Sequence, residues 1–237
     1  MTDGELLRFL DVTSLRGDET AAECIDLARR VDEAPGPPSA LCIFPDALAA
    51  VDAAFPERAW ALATVVNFPS GAADPDAVGR AVEAAVAAGA EEIDAVLALE
   101  AFFARDYGRV DAVFAAVRTA APTVCFKAIL ETGDPRYTPT LLGRAADRAL
   151  DAGANFLKTS TGKIPVGATP EAVNLLCDAI GKAPVGIKVS GGVRTREAAH
   201  AYVACMEHRF APESLTPRRF RIGASDLFTQ LLPRART

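Results

Sequence analysis

The sequence predicts an α/β fold, namely a (β/α)8 TIM barrel that forms one domain over residues 1–237. Strand-like and helical segments alternate strictly, as expected when helices connect parallel strands. There are eight of each in about 230 residues, which is the usual size of a closed eight-stranded barrel. The main alternative is a nucleotide-binding open sheet, and it is weakened because no strand precedes a GxGxxG or P-loop motif.

The strand segments are short apolar runs that end in glycine, proline or polar turns. In chain order they lie at residues 9–13, 40–44, 60–68, 92–97, 123–130, 155–159, 185–190 and 219–223. The helical segments have helical spacing of apolar residues, as in the alanine-rich 75–89, which ends at a glycine. They lie at residues 20–32, 46–53, 75–89, 102–120, 139–152, 170–180, 195–207 and from 225 onward. Residues 208–218 are predicted to be irregular.

Composition narrows the class of protein. Half of the residues are hydrophobic and 24% are charged, which excludes disordered and fibrous proteins. The net charge is -6 and the cations are scattered, so we expect a small-molecule partner and no nucleic acid. No run approaches the roughly 18 apolar residues that a membrane span needs, and no basic-then-apolar leader opens the chain. Five widely spaced cysteines indicate reduced thiols, so we expect a cytoplasmic protein without a membrane partner.

Five ionisable residues occupy central positions of predicted strands, where barrels usually carry apolar side chains. They are Asp11, Asp94, Lys127, Lys158 and Lys188. Because side chains alternate along a strand, all five can point inward while their apolar neighbours face the helices. The sequence therefore predicts a shared polar site inside the barrel.

Lys158 and Lys188 lie on consecutive strands, which are about 4.8 Å apart in a parallel sheet. Like charge and burial both favour a neutral amine, which is a nucleophile toward carbonyl groups. Asp94 is suited to transfer protons directly or through water. The residues alone leave open which of the two lysines is the nucleophile.

One glycine-containing segment follows each of the last three predicted strands, which are strands six, seven and eight. The segments are residues 161–163, 190–194 and 223–225. Glycine lets backbone amides approach an anion closely, and barrel enzymes commonly hold phosphate after their late strands. We expect these anion-binding segments to bind the phosphate of a substrate.

The motifs resemble those of the deoxyribose-phosphate aldolases, a family of class I, Schiff-base-forming (β/α)8 enzymes. The most specific are Phe-Leu-Lys-Thr-Ser-Thr-Gly-Lys at 156–163, Gly-Ile-Lys-Val-Ser-Gly-Gly-Val-Arg-Thr at 186–195 and Arg-Ile-Gly-Ala-Ser at 221–225. Supporting matches lie at 11–15, 64–71, 91–94 and 127–133. Together they extend from the first strand to the last, so the resemblance covers essentially the whole chain.

The resemblance implies reversible cleavage of 2-deoxy-D-ribose 5-phosphate to acetaldehyde and D-glyceraldehyde 3-phosphate, without a metal or an organic cofactor. It implies that Lys158 forms the Schiff base, that Lys188 perturbs it and that Asp94 transfers protons. We expect the following residues to bind substrate: Asp11, Thr13, Asn67, Lys127, Thr159, Gly162, Lys163, Gly191, Gly192, Arg194, Gly223 and Ser225. A polar network that only holds the barrel together is an equally open interpretation of Asp11, Thr13, Asn67 and Lys127.

Asp226 departs from the pattern, because many family members have a serine at this position. A carboxylate would repel a phosphate, so we expect weaker discrimination against unphosphorylated 2-deoxyribose than a serine at position 226 would give. Another class I barrel aldolase or transaldolase with a different donor is the main alternative function, and a non-catalytic sugar-phosphate-binding barrel is a further one. A metal-dependent aldolase is disfavoured by the presence of only two histidines. The sequence leaves the assembly open, including a homodimer.

Overall fold

The computed structural model describes residues 1–210 and 215–232, which contain a closed barrel of eight parallel strands. The strands are β1 (Leu10–Ser14), β2 (Ala40–Ile43), β3 (Ala61–Val66), β4 (Glu92–Val96), β5 (Cys125–Ile129), β6 (Phe156–Lys158), β7 (Gly186–Ser190) and β8 (Phe220–Ala224). Each strand pairs with the next, and β8 pairs with β1 to close the barrel. The predicted TIM barrel is confirmed. Its extension as one domain to residue 237 stays a prediction, since the last described residue is 232.

The described residues contain ten α-helices. They are α1 (Asp3–Leu7), α2 (Ala21–Asp32), α3 (Leu48–Ala54), α4 (Pro75–Ala87), α5 (Leu99–Phe103), α6 (Tyr107–Ala120), α7 (Pro139–Asp151), α8 (Pro170–Ile180), α9 (Arg196–Arg209) and α10 (Asp226–Leu231). A short 3-10 helix, Pro45–Ala47, leads into α3. In the described part of the chain, no helix is long and apolar enough to cross a membrane.

Three of these helices, α1, α5 and α6, differ from the sequence-based prediction. The predicted helix at 102–120 is two helices, because Arg105 adopts a left-handed φ of 64° and Asp106 caps a new helix by accepting from the Arg109 amide. Helix α1 was not predicted, because five residues are too few for an apolar period. It is stabilised by a capping box between Thr2 and Glu5. The irregular stretch predicted at 208–218 lies partly outside the described residues, and α9 extends into its first two positions.

Side-chain caps explain where the longer helices begin. Threonine or aspartate accepts a hydrogen bond from a backbone amide in the first turn, which satisfies a donor that has no partner in the helix itself. This holds for α2, α4, α6, α7, α8 and α9, whose caps are Thr20, Asp74, Asp106, Thr138, Thr169 and Thr195. Proline at the first helical position reinforces α4, α7 and α8. These starts fix how far each strand-to-helix loop extends over the barrel mouth.

The strands place apolar and charged side chains on opposite faces. Ile187 and Val189 are fully buried in the main hydrophobic core, whereas Lys188 between them is buried among charged groups. The core between barrel and helices contains large buried rings, including Phe102, Phe114 and Phe126. The predicted inward orientation of the charged strand residues is therefore confirmed, and the barrel interior is the polar part of the fold.

Candidate active site

Asp94 lies at the centre of the barrel and contacts three lysines. Its Oδ2 is 2.7 Å from Lys158 Nζ and 2.7 Å from Lys188 Nζ, while its Oδ1 accepts from Lys127 Nζ at 2.8 Å. Strand register explains the arrangement, because Asp94 pairs with Lys127 across β4 and β5, and Lys158 pairs with Lys188 across β6 and β7. The structure thus brings together all three residues predicted to be catalytic.

A second set of charges lies against these lysines. Asp11 Oδ2 is 2.6 Å from Lys188 Nζ, and its Oδ1 accepts from Arg221 at 2.7 Å. Glu92 Oε2 is 2.5 Å from Lys127 Nζ, and its Oε1 is 3.4 Å from Arg221. We refer to the complete set as the buried charge network, which consists of Asp11, Glu92, Asp94, Lys127, Lys158, Lys188 and Arg221.

The network shifts the pKa values of its lysines in opposite directions. Burial disfavours the charged form of each lysine, but Asp11 and Asp94 outweigh burial at Lys188 and raise its pKa. At Lys127, three carboxylates outweigh burial and raise the pKa well above its usual value. At Lys158, burial prevails with the help of the Lys188 charge, and the pKa is lowered although Asp94 opposes this. Of the three, Lys158 is therefore the lysine closest to a free amine.

The carboxylates of Asp94 and Asp11 stay ionised. Burial alone would raise the pKa of Asp94, but the charges of Lys127, Lys158 and Lys188 outweigh burial and hold it well below the usual range. The pKa of Asp11 is lowered in the same way, against burial, chiefly by Lys188 and Lys127. Asp94 is therefore a permanent negative charge that can hold a protonated group or a water in place.

A cavity of about 350 Å³ opens above the network at the carboxyl ends of the strands. Lys158 lines this cavity, whereas Lys188 is fully buried beneath it. The sequence left open which of Lys158 and Lys188 is the nucleophile. Only a lysine that reaches the cavity can attack a bound carbonyl. The geometry favours Lys158 as the nucleophile.

Eight of the twelve residues expected to bind substrate line this cavity. They are Thr13, Gly162, Lys163, Gly191, Gly192, Arg194, Gly223 and Ser225. The three glycine-containing segments, residues 161–163, 190–194 and 223–225, therefore meet at one cavity, and Lys163 donates from Nζ to the Leu15 carbonyl at 2.5 Å. Gly162, Gly191 and Gly192 have positive φ values of 77°, 80° and 86°, a conformation that glycine adopts without strain.

The other four of those residues lie outside the cavity lining. Asp11 and Lys127 belong to the buried charge network. Asn67 bonds only to backbone in the described residues, donating to Val96 O at 2.9 Å and accepting from Ala73 N at 2.8 Å. Thr159 joins β6 to β7 by exchanging hydrogen bonds with the backbone of Ser190. The structure thus gives these four residues supporting contacts, and their direct contact with substrate stays a prediction.

Sequence reasoning missed Glu92, Arg221 and Glu131. Glu92 is two residues before Asp94, and Arg221 is two residues before Gly223, so strand alternation alone could have placed both inside the barrel. Glu131 is buried after β5, with a left-handed φ of 54°. Its carboxylate accepts from both the backbone amide and the hydroxyl of Thr161, at 3.1 and 2.5 Å. This last pairing joins two loops and has no signal in the sequence.

Comparison with known proteins agrees with this site. A family model described as DeoC/LacD family aldolase matches residues 6–208. The chain belongs to this family. A curated deoxyribose-phosphate aldolase of Agrobacterium fabrum is 42% identical over 230 residues, which cover 95% of this chain and 88% of that protein. The chain is therefore an aldolase, an enzyme that makes or breaks carbon-carbon bonds.

Solved structures show the same fold. An aldolase called QR15 superposes with a TM-score of 0.81 at 25% identity, and covers 95% of each chain. A tetrameric deoxyribose phosphate aldolase from Aeropyrum pernix superposes with a TM-score of 0.78 at 24% identity, covering 95% of this chain and 88% of that one. At this identity, the second likeness supports the fold alone.

Proposed function

We propose that this aldolase reversibly cleaves 2-deoxy-D-ribose 5-phosphate to acetaldehyde and D-glyceraldehyde 3-phosphate through a Schiff base on Lys158. One observation carries the proposal: Lys158 lines the cavity, has a lowered pKa and lies 2.7 Å from a buried carboxylate that also holds Lys188. The identity to the curated aldolase of Agrobacterium fabrum supports the choice of substrate.

The reaction begins when the neutral amine of Lys158 attacks the aldehyde carbon of the open-chain sugar. The carbinolamine that results takes up a proton and loses water, which leaves an iminium ion between Lys158 and the substrate. An iminium accepts an electron pair readily, so it activates the neighbouring carbon-carbon bond. Lys188, held protonated by Asp11 and Asp94, stabilises the neutral form of Lys158 before the attack.

Cleavage then breaks the bond between C2 and C3. The C3 hydroxyl loses its proton, the bonding pair moves into the iminium to give an enamine, and D-glyceraldehyde 3-phosphate leaves. Asp94 is fully buried and does not line the cavity. A water held by Asp94 and Lys188 is therefore a better route for the proton than direct transfer to Asp94. Protonation of the enamine carbon and hydrolysis release acetaldehyde and restore Lys158.

The anion-binding segments would hold the phosphate at the far end of the cavity. They contribute Gly162, Gly191 and Gly192 and the cations Lys163 and Arg194 to the cavity lining. Backbone amides near glycine can approach a phosphate without steric hindrance, and cations add attraction. Holding the phosphate would place the aldehyde end of the sugar toward Lys158.

Trapping of the intermediate tests the assignment. Acetaldehyde with sodium borohydride, followed by peptide mass mapping, should label Lys158. Lys158→Ala should abolish both labelling and cleavage of 2-deoxyribose 5-phosphate, because Lys163, the other described lysine in the cavity lining, is bonded to the Leu15 carbonyl. Lys182→Ala is the matched control, since Lys182 is an exposed lysine outside the site. Label on Lys188 alone, or no label on the native enzyme, would refute the proposal.

A second candidate is the same Schiff-base chemistry on an unphosphorylated aldehyde or with another donor. Asp226 favours it, because its carboxylate lines the cavity beside the anion-binding segments. Product analysis with acetaldehyde, dihydroxyacetone and dihydroxyacetone phosphate as donors separates the two. Product from acetaldehyde alone supports the deoxyribose-phosphate reaction.

We also propose that the enzyme works in the cytoplasm, with no nucleic-acid partner, and forms a homodimer. All five cysteines are unpaired, as expected in a reducing compartment. Light scattering of the purified protein measures its assembly, and a monomeric mass would contradict the homodimer.

A further inference from the structure

The buried charge network does not balance if every member is ionised. Its members in the described residues are three carboxylates and four cations, so the fully ionised network has one positive charge in excess. An excess charge in a buried site is costly, and the cost falls when one cation loses its proton. Arginine does not lose its proton in proteins, so one of the three lysines must do so.

The contacts decide which lysine becomes neutral. Within the described residues, Lys127 lies within 3.5 Å of three carboxylates, Asp11, Glu92 and Asp94. Lys188 contacts two, whereas Lys158 contacts Asp94 alone and shares its Oδ2 with Lys188. Lys158 therefore has the least compensation for a positive charge. The fourth cation, Arg221, is what places the network in excess.

We propose that Arg221 is a positioning residue of the reaction: by pairing with Asp11 and Glu92, it keeps the network one positive charge in excess and so keeps Lys158 as the free amine. The inference rests on the proposed Schiff-base function and concerns the control of its nucleophile. Arg221 does not line the cavity, so it would act through the network and not through substrate.

The surroundings of Arg221 fix its position. Its guanidinium pairs with Asp11 at 2.7 Å and with Glu92 at 3.4 Å. It also lies 5.3 Å from the centre of the Phe156 ring, and its Nε donates to the Pro217 carbonyl. Phe156 is on β6, the strand that carries Lys158. Arg221 thus joins β8 to β1, β4 and β6, and it leaves Asp11 only one oxygen for Lys188.

Loss of Arg221 would change the competition for Asp94. Asp11 would attract Lys188 more strongly, because the arginine that shares it would be gone. The Asp94 oxygen that Lys188 and Lys158 share would then be freer to hold Lys158 as an ammonium ion. Three lysines would balance three carboxylates, and the network would no longer favour a neutral Lys158.

Other titratable groups face this region from several elements. They are Cys42 on β2, Cys125 on β5 and Glu131 after β5, in addition to the network itself. Burial raises the pKa of the Cys42 thiol and raises that of Cys125 to about 12, so both thiols stay neutral near neutral pH. Glu131 is bonded to Thr161 and is not a member of the network, but its pKa is raised, chiefly by burial, and the charge of Lys158 acts on it. Among the three lysines of the network, Lys158 alone has a lowered pKa, so the loss of its proton is the change in the network that the pH dependence reports.

The pH dependence of Schiff-base formation tests the proposal. The initial rate of labelling by acetaldehyde and cyanoborohydride is measured against pH for the native enzyme, Arg221→Gln, Arg221→Lys and Glu92→Gln. Its midpoint reports where Lys158 loses its proton. We expect Arg221→Gln to move the midpoint upward by about one pH unit, the size expected for one partly screened charge. Arg221→Lys, which keeps the charge, should restore the midpoint toward the native value.

Glu92→Gln is the matched opposite, because it removes a negative charge from the same contact while keeping the side-chain size. It should move the midpoint downward. Shifts of the two glutamine variants in one direction, or unchanged midpoints in folded variants, would overturn the proposal. If Arg221→Gln does not fold, the downward shift in Glu92→Gln carries the test, and its absence is decisive. Failure of the native enzyme to be labelled on Lys158 would instead refute the proposed function.

Discussion

At the scale of single residues, Asp226 is the only carboxylate among the described residues that line the cavity. It is exposed at the first position of α10, next to Ser225 of the segment 223–225. Lys163, Arg194 and Arg16 line the same cavity. The side chain thus places a negative charge where the proposed substrate carries its phosphate, and this charge would oppose the three cations.

Asp226→Ser should therefore raise the preference for the phosphorylated sugar. We expect the ratio of kcat/KM for 2-deoxyribose 5-phosphate to that for 2-deoxyribose to rise by about tenfold, which corresponds to roughly 1.4 kcal/mol of lost repulsion. Steady-state assays of both sugars measure the ratio. Asp226→Asn is the control, because it removes the charge and keeps the size. An unchanged ratio in both variants would show that the carboxylate does not face the phosphate.

Glu131 supports the segment 161–163, which lines the cavity. Its carboxylate accepts from the Thr161 hydroxyl, and that hydroxyl accepts from the Lys163 amide at 3.0 Å, so Glu131 holds the turn of residues 161–163. Burial is the main cause of its raised pKa, against the hydrogen bonds from Thr161. The carboxylate is therefore held by a single short turn that the substrate is proposed to contact.

Glu131→Gln should loosen this turn, because an amide nitrogen cannot accept from the Thr161 hydroxyl. We expect KM for the phosphorylated sugar to rise by about fivefold to tenfold, which corresponds to a lost hydrogen bond of about 1 kcal/mol. Labelling of Lys158 by acetaldehyde should stay near the native rate, since acetaldehyde carries no phosphate. A parallel loss of both activities would indicate general damage to the fold.

At the scale of elements, most of the barrel was predictable because its signals are local. Helix α8 has the predicted bounds, with a threonine cap and proline at its start. The charged residues of the strands were found for the same reason, since alternation fixes which face they occupy. The break at Arg105 was not found, because a left-handed residue inside a helical pattern has no mark in the spacing. The contacts between loops, such as Glu131 with Thr161, arise only when non-neighbouring segments meet.

The loops after β6 and β7 approach so closely that glycine is required at their contact. A Cβ added to Gly167 would lie 2.2 Å from the Gly191 carbonyl oxygen, and both loops line or support the cavity. Backbone cannot move aside as a flexible side chain would. The absence of side chains at this contact therefore allows the two loops to lie against each other.

Gly167→Ala should separate these loops. We expect the free energy of unfolding to fall by about 1–3 kcal/mol, the usual cost of overpacking, and KM for the phosphorylated sugar to rise. Urea denaturation measures the first effect. Gly143→Ala is the matched control, because Gly143 lies within α7 with nothing within 4 Å of its added Cβ. Alanine there should stabilise the protein by up to about 1 kcal/mol. Equal effects at both positions would contradict the steric argument.

At the scale of the whole molecule, the buried charge network joins strands that are distant in the sequence. Asp11 on β1 contacts Arg221 on β8, 210 residues away, beside the pairing that closes the barrel. The other members lie on β4, β5, β6 and β7. Removal of one member would leave a partner charged, buried and unpaired, which costs more than the pair itself contributes. The site that is proposed to carry the chemistry is thus also part of what closes the fold.

Two members of this network, Asp94 and Lys127, should each contribute stability that is lost at one extreme of pH. The pKa of Asp94 is well below its ordinary value of 3.8, so the folded state binds this proton less readily than the unfolded state. The stabilisation is complete above that ordinary value and is lost as the pH falls below it. The pKa of Lys127 is well above its ordinary value of 10.5, so its contribution is complete below 10.5 and is lost as the pH rises through the folded value.

Asp11→Asn should lower the free energy of unfolding near neutral pH and weaken its dependence on acid pH. The substitution leaves Arg221 and Lys188 without a shared carboxylate, so we expect a loss of about 3–5 kcal/mol near pH 7. The loss should shrink below about pH 4. There Asp11 takes up a proton in the unfolded state of the unsubstituted protein, and its lowered pKa in the folded state contributes progressively less stability. Urea denaturation from pH 3 to 9 measures the difference. A constant difference across this range would show that Asp11 contributes shape and not charge to the closed barrel.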